Sequence, residues 1–188
     1  MRIFRQGAGP HALAEAMTGV RLGERLLYVG AGTPALFAAL AAKAGLTGRA
    51  RAVVESENAS ERIKMAAARA GVLIEVAVAS LPQLPADDAA FDVAVIDASG
   101  GMVPAMGETD RAAVAVEVRR ALRPRGRAIV VEHEARGVLA AFKGRPKELE
   151  RFRAENSAAA MLQTAGFQPV RLLAERDGER FTEGWKKE

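Results

Sequence analysis

The chain contains no cysteine, which excludes disulfides, thiolate metal sites and cysteine nucleophiles. It has only two histidines, His11 and His133, too few for a histidine-rich metal site. Aromatic residues make up 5% of the chain, with one tyrosine and one tryptophan. The nearest approach to a basic cluster is Arg145, Lys147, Arg151 and Arg153, with little aromatic sequence among them. A nucleic-acid surface wants clustered cations interleaved with stacking rings, so nucleic acid is not an expected partner. No run approaches the ~18 consecutive apolar residues of a membrane span. The opening Met1-Arg2-Ile3-Phe4-Arg5-Gln6 has no apolar signal core. The expectation is a cytoplasmic protein with no membrane partner.

What is present points to a folded domain. Of 188 residues, 49% are apolar, enough for a sizeable core, and the length predicts one domain over residues 1–188. Residues 1–24 read as an N-terminal helical extension, with a helix-like His11 to Met17, and 25–188 as the core. Lys and Arg total 27 against 23 Asp and Glu, a net charge of +4 that reads as a mixed, solvated surface.

From Leu26 onward apolar runs alternate with helical patterns. Strands are expected at Leu26–Val29, Arg51–Val54, Val72–Val78, Asp92–Asp97 and Arg127–Val131. The third alternates apolar and polar positions, which suits an edge strand. The fourth is apolar on both faces, which suits the centre of a parallel sheet. Helices are expected at Ala35–Ala44, Ser60–Ala70, Arg111–Leu122 and, as one long element, Glu148–Ala165. Ala98 to Thr109 reads as a loop. Two final strand-like runs, Pro169–Arg176 and Glu179–Trp185, meet at Asp177-Gly178, a type I′ hairpin signal because both central positions need positive φ. The predicted fold is α/β: one doubly wound, mostly parallel seven-stranded sheet ending in an antiparallel hairpin.

The stretch Leu27-Tyr28-Val29-Gly30-Ala31-Gly32-Thr33-Pro34 carries the functional information. A buried strand runs into Gly-x-Gly and then into a helix. Such a turn either only reverses the chain tightly or lets a ligand approach the backbone where no side chain intervenes. Glu55 follows Gly30 by 25 residues, at the end of the second strand, where a carboxylate can accept from ribose hydroxyls or simply face solvent. Asp97 ends the fourth strand and either caps the next turn or faces a ligand. His133 follows the fifth strand, at a position open to a general base or to a plain surface residue.

From about Leu26 to Trp185 the chain resembles the class I S-adenosylmethionine-dependent methyltransferases, whose core is a Rossmann-like sheet. Several segments match in order: the Gly30–Gly32 motif, Val53-Val54-Glu55, Leu84 to Val93, Ala121-Leu122-Arg123-Pro124-Arg125-Gly126-Arg127, and Ala165-Gly166-Phe167 before the hairpin. The resemblance implies S-adenosyl-L-methionine as cofactor and methyl transfer to an acceptor, with a small molecule as the expected substrate. It implies a cofactor site made of Gly30, Ala31, Gly32, Glu55, Ser56, Ser80, Leu81 and Asp97. Glu55 would take the ribose hydroxyls, and Ser80 and Leu81 would lie at the adenine. No catalytic residue is implied.

Three positions depart from the family pattern. Tyr28 stands where an acid is usual, Pro34 replaces the third glycine, and Ser80 stands where many members have Asp. Pro34 suits the first turn of a helix, where its missing N–H is not needed. The missing acid implies looser cofactor binding, with an acid at position 28 expected to tighten it. Two other readings remain open: a non-catalytic methyltransferase-like module acting through a partner, and a nicotinamide-dinucleotide binder through Gly30-x-Gly32-x-x-Ala35. The terminal hairpin and the absence of a second domain weigh against the latter.

Overall fold

The computed structural model describes residues 9, 11–100, 102–133 and 147–188. In chain order the elements are α1 (Ala12–Thr18), β1 (Arg25–Val29), α2 (Pro34–Ala44), β2 (Arg49–Val54), α3 (Glu57–Ala70), β3 (Glu75–Val78), β4 (Phe91–Asp97), α4 (Met102–Ala105), α5 (Glu108–Ala121), β5 (Leu122–His133), α6 (Lys147–Ala154), α7 (Ser157–Thr164), β6 (Val170–Arg176) and β7 (Glu179–Trp185). The strands form one seven-stranded sheet in the order β3-β2-β1-β4-β5-β7-β6. β3 to β5 are parallel, and β7 runs antiparallel to both β5 and β6.

Position in the sheet follows from the apolar pattern. β1 and β4 are apolar at consecutive positions, so both faces are covered and both lie at the centre. Leu27 and Val29 face the layer holding Val118 and Leu162, whereas Leu26 and Tyr28 face Phe37 and Leu40 of α2. β3, with its half-polar alternation, is an edge strand, shorter than expected because only Glu75–Val78 pairs.

Three local expectations need correction. The span Glu148–Ala165 is two helices, not one. They break at Asn156, which adopts a left-handed φ of 51°. Asparagine tolerates that conformation, and the Asn156 Oδ1 accepts from Arg180 of β7 at 2.9 Å. The bend lets Phe152 of α6 and Met161 and Leu162 of α7 reach the same core. Second, β5 enters the sheet at Leu122 rather than at Arg127. Its register jumps from Phe91↔Leu122 to Val93↔Arg127, so residues 123–126 loop out of the ladder around Arg125 at φ 63°. Third, the stretch from Ala98 to Thr109 contains α4 and the start of α5. The hairpin is as expected, with Asp177 and Gly178 at φ 57° and 78°.

Charged side chains tie the layers together. Arg127 sits in the sheet with its guanidinium on Glu24, and it donates to the carbonyl of Gly19 beyond α1 at 2.6 Å. Asp92 at the start of β4 receives the backbone N–H of Arg25 at 2.7 Å, and the Arg25 and Arg123 guanidinia. Burial pushes the Asp92 carboxyl up, but these donors outweigh it and hold it below the usual carboxylate range. Glu132 on β5 is fully buried against Arg153 of α6, at 3.1 Å. Burial pushes its carboxyl up, against the charges of Arg180 and Arg153.

Candidate active site

The strand order reverses between β1 and β4: from β1 the chain builds outward to β2 and β3, then returns to β4 on the other side. In an open parallel sheet this switch point leaves a crevice beyond the carboxyl ends of the two strands. Gly30–Gly32 leaves β1 there, and Asp97 ends β4 beside it.

Gly30 has φ 100°, and a Cβ on it would lie 3.0 Å from the carbonyl oxygen of Asp97, so no other residue fits without displacement. Its N–H continues the sheet by donating to Val53 at 2.9 Å. Thr33 then leads into Pro34, the first residue of α2. Asp97 is nearly inaccessible. Its Oδ2 accepts from the Tyr28 hydroxyl at 2.6 Å and from the Thr33 N–H at 2.6 Å, and its Oδ1 accepts from the Ser99 N–H at 2.9 Å. One carboxylate therefore fastens three segments: the strand before the glycine loop, the loop itself and the turn after β4. Tyr28 is fully buried, its ring 5.0 Å from that of Phe37. Burial, then the Asp97 charge and hydrogen bond, raise its hydroxyl well above the usual range, so it remains a donor.

The missing side chain of Gly32 was expected to admit a ligand. In this structure the protein's own backbone lies there. A Cβ on Gly32 would stand 2.9 Å from Asp97 Oδ1 and 3.0 Å from the Cα of Gly100. The remaining cleft is about 220 Å³. It brings together Gly30, Ala31, Gly32, Glu55 and Asp97, five of the eight residues expected from the sequence, and adds Arg62, Gly100 and Met102. Glu55 is exposed on the turn between β2 and α3. The other three lie elsewhere. Ser56 caps α3, its hydroxyl accepting from the Ala59 N–H at 3.2 Å. Ser80 is exposed on the turn after β3, and the Leu81 side chain is in the core. Arg62 had no sequence signal. It sits on a helix and becomes a cleft residue only because α3 packs beside the glycine loop.

His133 ends β5, with Nδ1 3.4 Å from a carboxylate oxygen of Glu179 and its backbone N–H donating to the Ser99 hydroxyl at 3.0 Å. It does not line the cleft. Of the basic residues noted earlier, Lys147 is exposed at the start of α6. Arg151 pairs with Glu155, Arg153 turns inward to Glu132, and Arg145 lies outside the described residues. Among the described residues no cluster of three metal-ligating side chains occurs, and no helix is long and apolar enough to cross a membrane. A larger cavity, about 530 Å³, lies where the start of α5 meets α6 and α7, with Arg111, Glu108 and Met161 in its wall.

The glycine turn thus lies at the switch point, with Glu55 just beyond β2 and Asp97 at the end of β4. The sequence matches the family model described as methyltransferase domain over residues 27–130, from β1 into β5. The chain belongs to this family and is a class I methyltransferase that uses S-adenosylmethionine. No curated protein sequence matches it.

Solved structures show the same fold. A SAM-dependent methyltransferase from Aquifex aeolicus superposes with a TM-score of 0.73 at 18% identity, covering 94% of this chain and 89% of that one. A second, from Methanosarcina mazei, gives 0.62 at 19% identity, covering 93% and 97%. A SAM-dependent O-methyltransferase from Thermotoga maritima gives 0.64 at 15% identity, and there 94% of this chain covers 64% of the other. The similar structures thus include chains of about this length and chains half as long again.

Proposed function

We propose that the crevice between β1 and β4 holds S-adenosylmethionine and that the acceptor is a small molecule. The observation that carries the first part is the ridge Gly30–Gly32, bare but for the Ala31 methyl, between two carboxylates, Glu55 and Asp97. The donor set fits the group chemically. Glu55 accepts from the ribose hydroxyls through charge-assisted hydrogen bonds. Asp97 faces the amino-acid end, and the backbone of Gly30, Ala31 and Gly32 lies against the sugar and methionine chain. The adenine would rest on the turn carrying Ser80 and Leu81, met through backbone because Leu81 is turned inward. Ser56 contributes by setting the start of α3 rather than by touching the ligand.

S-adenosylmethionine supplies an activated methyl group on its sulfonium. The chain's part is then positioning and exclusion of water, which account for much of the rate when the electrophile is already activated. The cleft of about 220 Å³ falls short of the ~300–1,000 Å³ of small-molecule sites. Gly100 therefore has to lift from Gly32 as the cofactor enters, while Ser99 keeps its bond to Asp97. The cavity of about 530 Å³ beside α5 is within that range, which supports a small acceptor. A cytoplasmic setting suits the cysteine-free composition.

Calorimetric titration with S-adenosylhomocysteine and with NAD tests the reading. Binding of the former alone is expected. No heat and no rise in melting temperature at millimolar S-adenosylhomocysteine would sink it, since a ligand that binds only the native state must stabilise it.

A further inference from the structure

We infer that Tyr28 is a positioning residue: its hydroxyl holds Asp97 so that the carboxylate ending β4 serves as the anion for the cofactor's amino group. This rests on the crevice being the cofactor site. A carboxylate offers about four acceptor positions. Among the described residues three are occupied, two on Oδ2 by Tyr28 and Thr33 and one on Oδ1 by Ser99. The remaining position is on Oδ1, the oxygen that stands 2.9 Å from where a Cβ of Gly32 would be, a spot the Gly100 backbone fills until it lifts. The unfilled acceptor therefore faces the glycine ridge. The two donors on Oδ2 fix which oxygen does so.

The geometry also revises what Tyr28 means. Its hydroxyl is within 2.6 Å of Asp97, and a shorter acidic side chain at position 28 would set a second buried anion near the first. Like charges at such range resist joint ionisation. Tyr28 and Asp97 are thus one unit, with the donor on β1 and the anion on β4. Adding an acid at position 28 is expected to loosen cofactor binding rather than tighten it, which reverses the expectation from the sequence. Burial and the Asp97 charge keep the hydroxyl protonated at any working pH, so the unit does not switch off in the physiological range.

Tyr28→Phe removes the hydroxyl and leaves the ring against Phe37. Two ligands separate positioning from general damage: S-adenosylhomocysteine, and 5′-methylthioadenosine, which lacks the amino-acid end. The variant is expected to bind the first about tenfold more weakly and the second within twofold of wild type, by calorimetry. Asp97→Asn should show the same selective loss, and the double variant should lose little beyond it. Equal losses for both ligands, an unchanged affinity for S-adenosylhomocysteine, or additive losses in the double variant would overturn the inference. Wild-type protein that binds neither ligand would refute the cofactor reading itself. Because Tyr28 is the only tyrosine in the chain, tyrosinate absorbance during alkaline titration reports the pair without any ligand. Asp97→Asn should ionise Tyr28 at lower pH than wild type, and an identical titration would show that the two side chains are not coupled.

Discussion

Replacing Gly32 with alanine tests whether the contact across the crevice is real packing. The new methyl carbon would fall against the backbone N of Gly100, with Asp97 Oδ1 2.9 Å and the Gly100 Cα 3.0 Å away. Neither neighbour is the free end of a flexible chain. Asp97 is fixed by its three hydrogen bonds, and Gly100 is backbone. Relief requires the Gly100 backbone to shift by about an ångström. Overpacking of this kind costs ~1–3 kcal/mol. For a chain of this size each kcal/mol lowers the melting temperature by ~2–4 °C, so a fall of ~2–12 °C is expected by circular dichroism. Gly100→Ala is the reciprocal probe, since its Cβ would lie 2.9 Å from the Cα of Gly32. The two substitutions strain the same contact and one shift relieves both, so the double variant should lose less than the sum. A Gly32→Ala protein that melts at the wild-type temperature would refute the reasoning. It would mean that Gly100 already sits away from the glycine loop.

Three further outcomes follow from the geometry. Glu55→Ala should weaken S-adenosylhomocysteine binding by ~1.5–3 kcal/mol, about ten- to a hundredfold, while the melting temperature without ligand stays put, because this carboxylate is exposed; equal affinity in calorimetry would make Glu55 a surface acid. Asp92→Asn should destabilise by ~1.5–3 kcal/mol at neutral pH in urea denaturation. The native carboxyl lies below its ordinary value, so this stability is present above about pH 4 and is lost as pH falls through the native value; a gap between variant and wild type that persists undiminished in strong acid would contradict the assignment. Gly107→Ser should stabilise by a few tenths of a kcal/mol (about 0.3) in the same denaturation assay. Gly107 starts α5 in an extended conformation with no side-chain cap and open space around it, and a hydroxyl there can accept a free N–H of the first turn.

The parallel core was legible in the sequence because buried strands such as Leu26–Val29 and Asp92–Asp97 are apolar on both faces, a pattern that solvated segments do not produce. The hairpin was legible because Asp177-Gly178 states its own backbone conformation. The break at Asn156 was not. Alanines and leucines keep helical spacing on both sides of it, and the reason for the break lies on Arg180, in another element. At the site, Gly30, Gly32, Glu55 and Asp97 could be picked out because strand ends are fixed once strands are. The meaning of Tyr28 could not, because its partner lies 69 residues away and meets it only through the pairing of β1 with β4. For the same reason Gly100 had no signal: its role is defined by Gly32 across the crevice.

The placement of β7 bears on how the chain comes to be folded. β7 follows every other strand in the sequence, yet it lies between β5 and β6. During synthesis the five parallel strands emerge first and can assemble while β5 is an open edge. β6, when it appears, has no partner until β7 arrives to pair with both. In that interval the rim of β5 is unpaired, and Glu132 lacks the charge of Arg180 that later lies across from it. An unpaired apolar edge is a template for pairing with another chain. Premature termination anywhere between β5 and Trp185 would leave this protein in that state permanently, so a shortened product should be lost to aggregation or degradation rather than persist as a weaker enzyme.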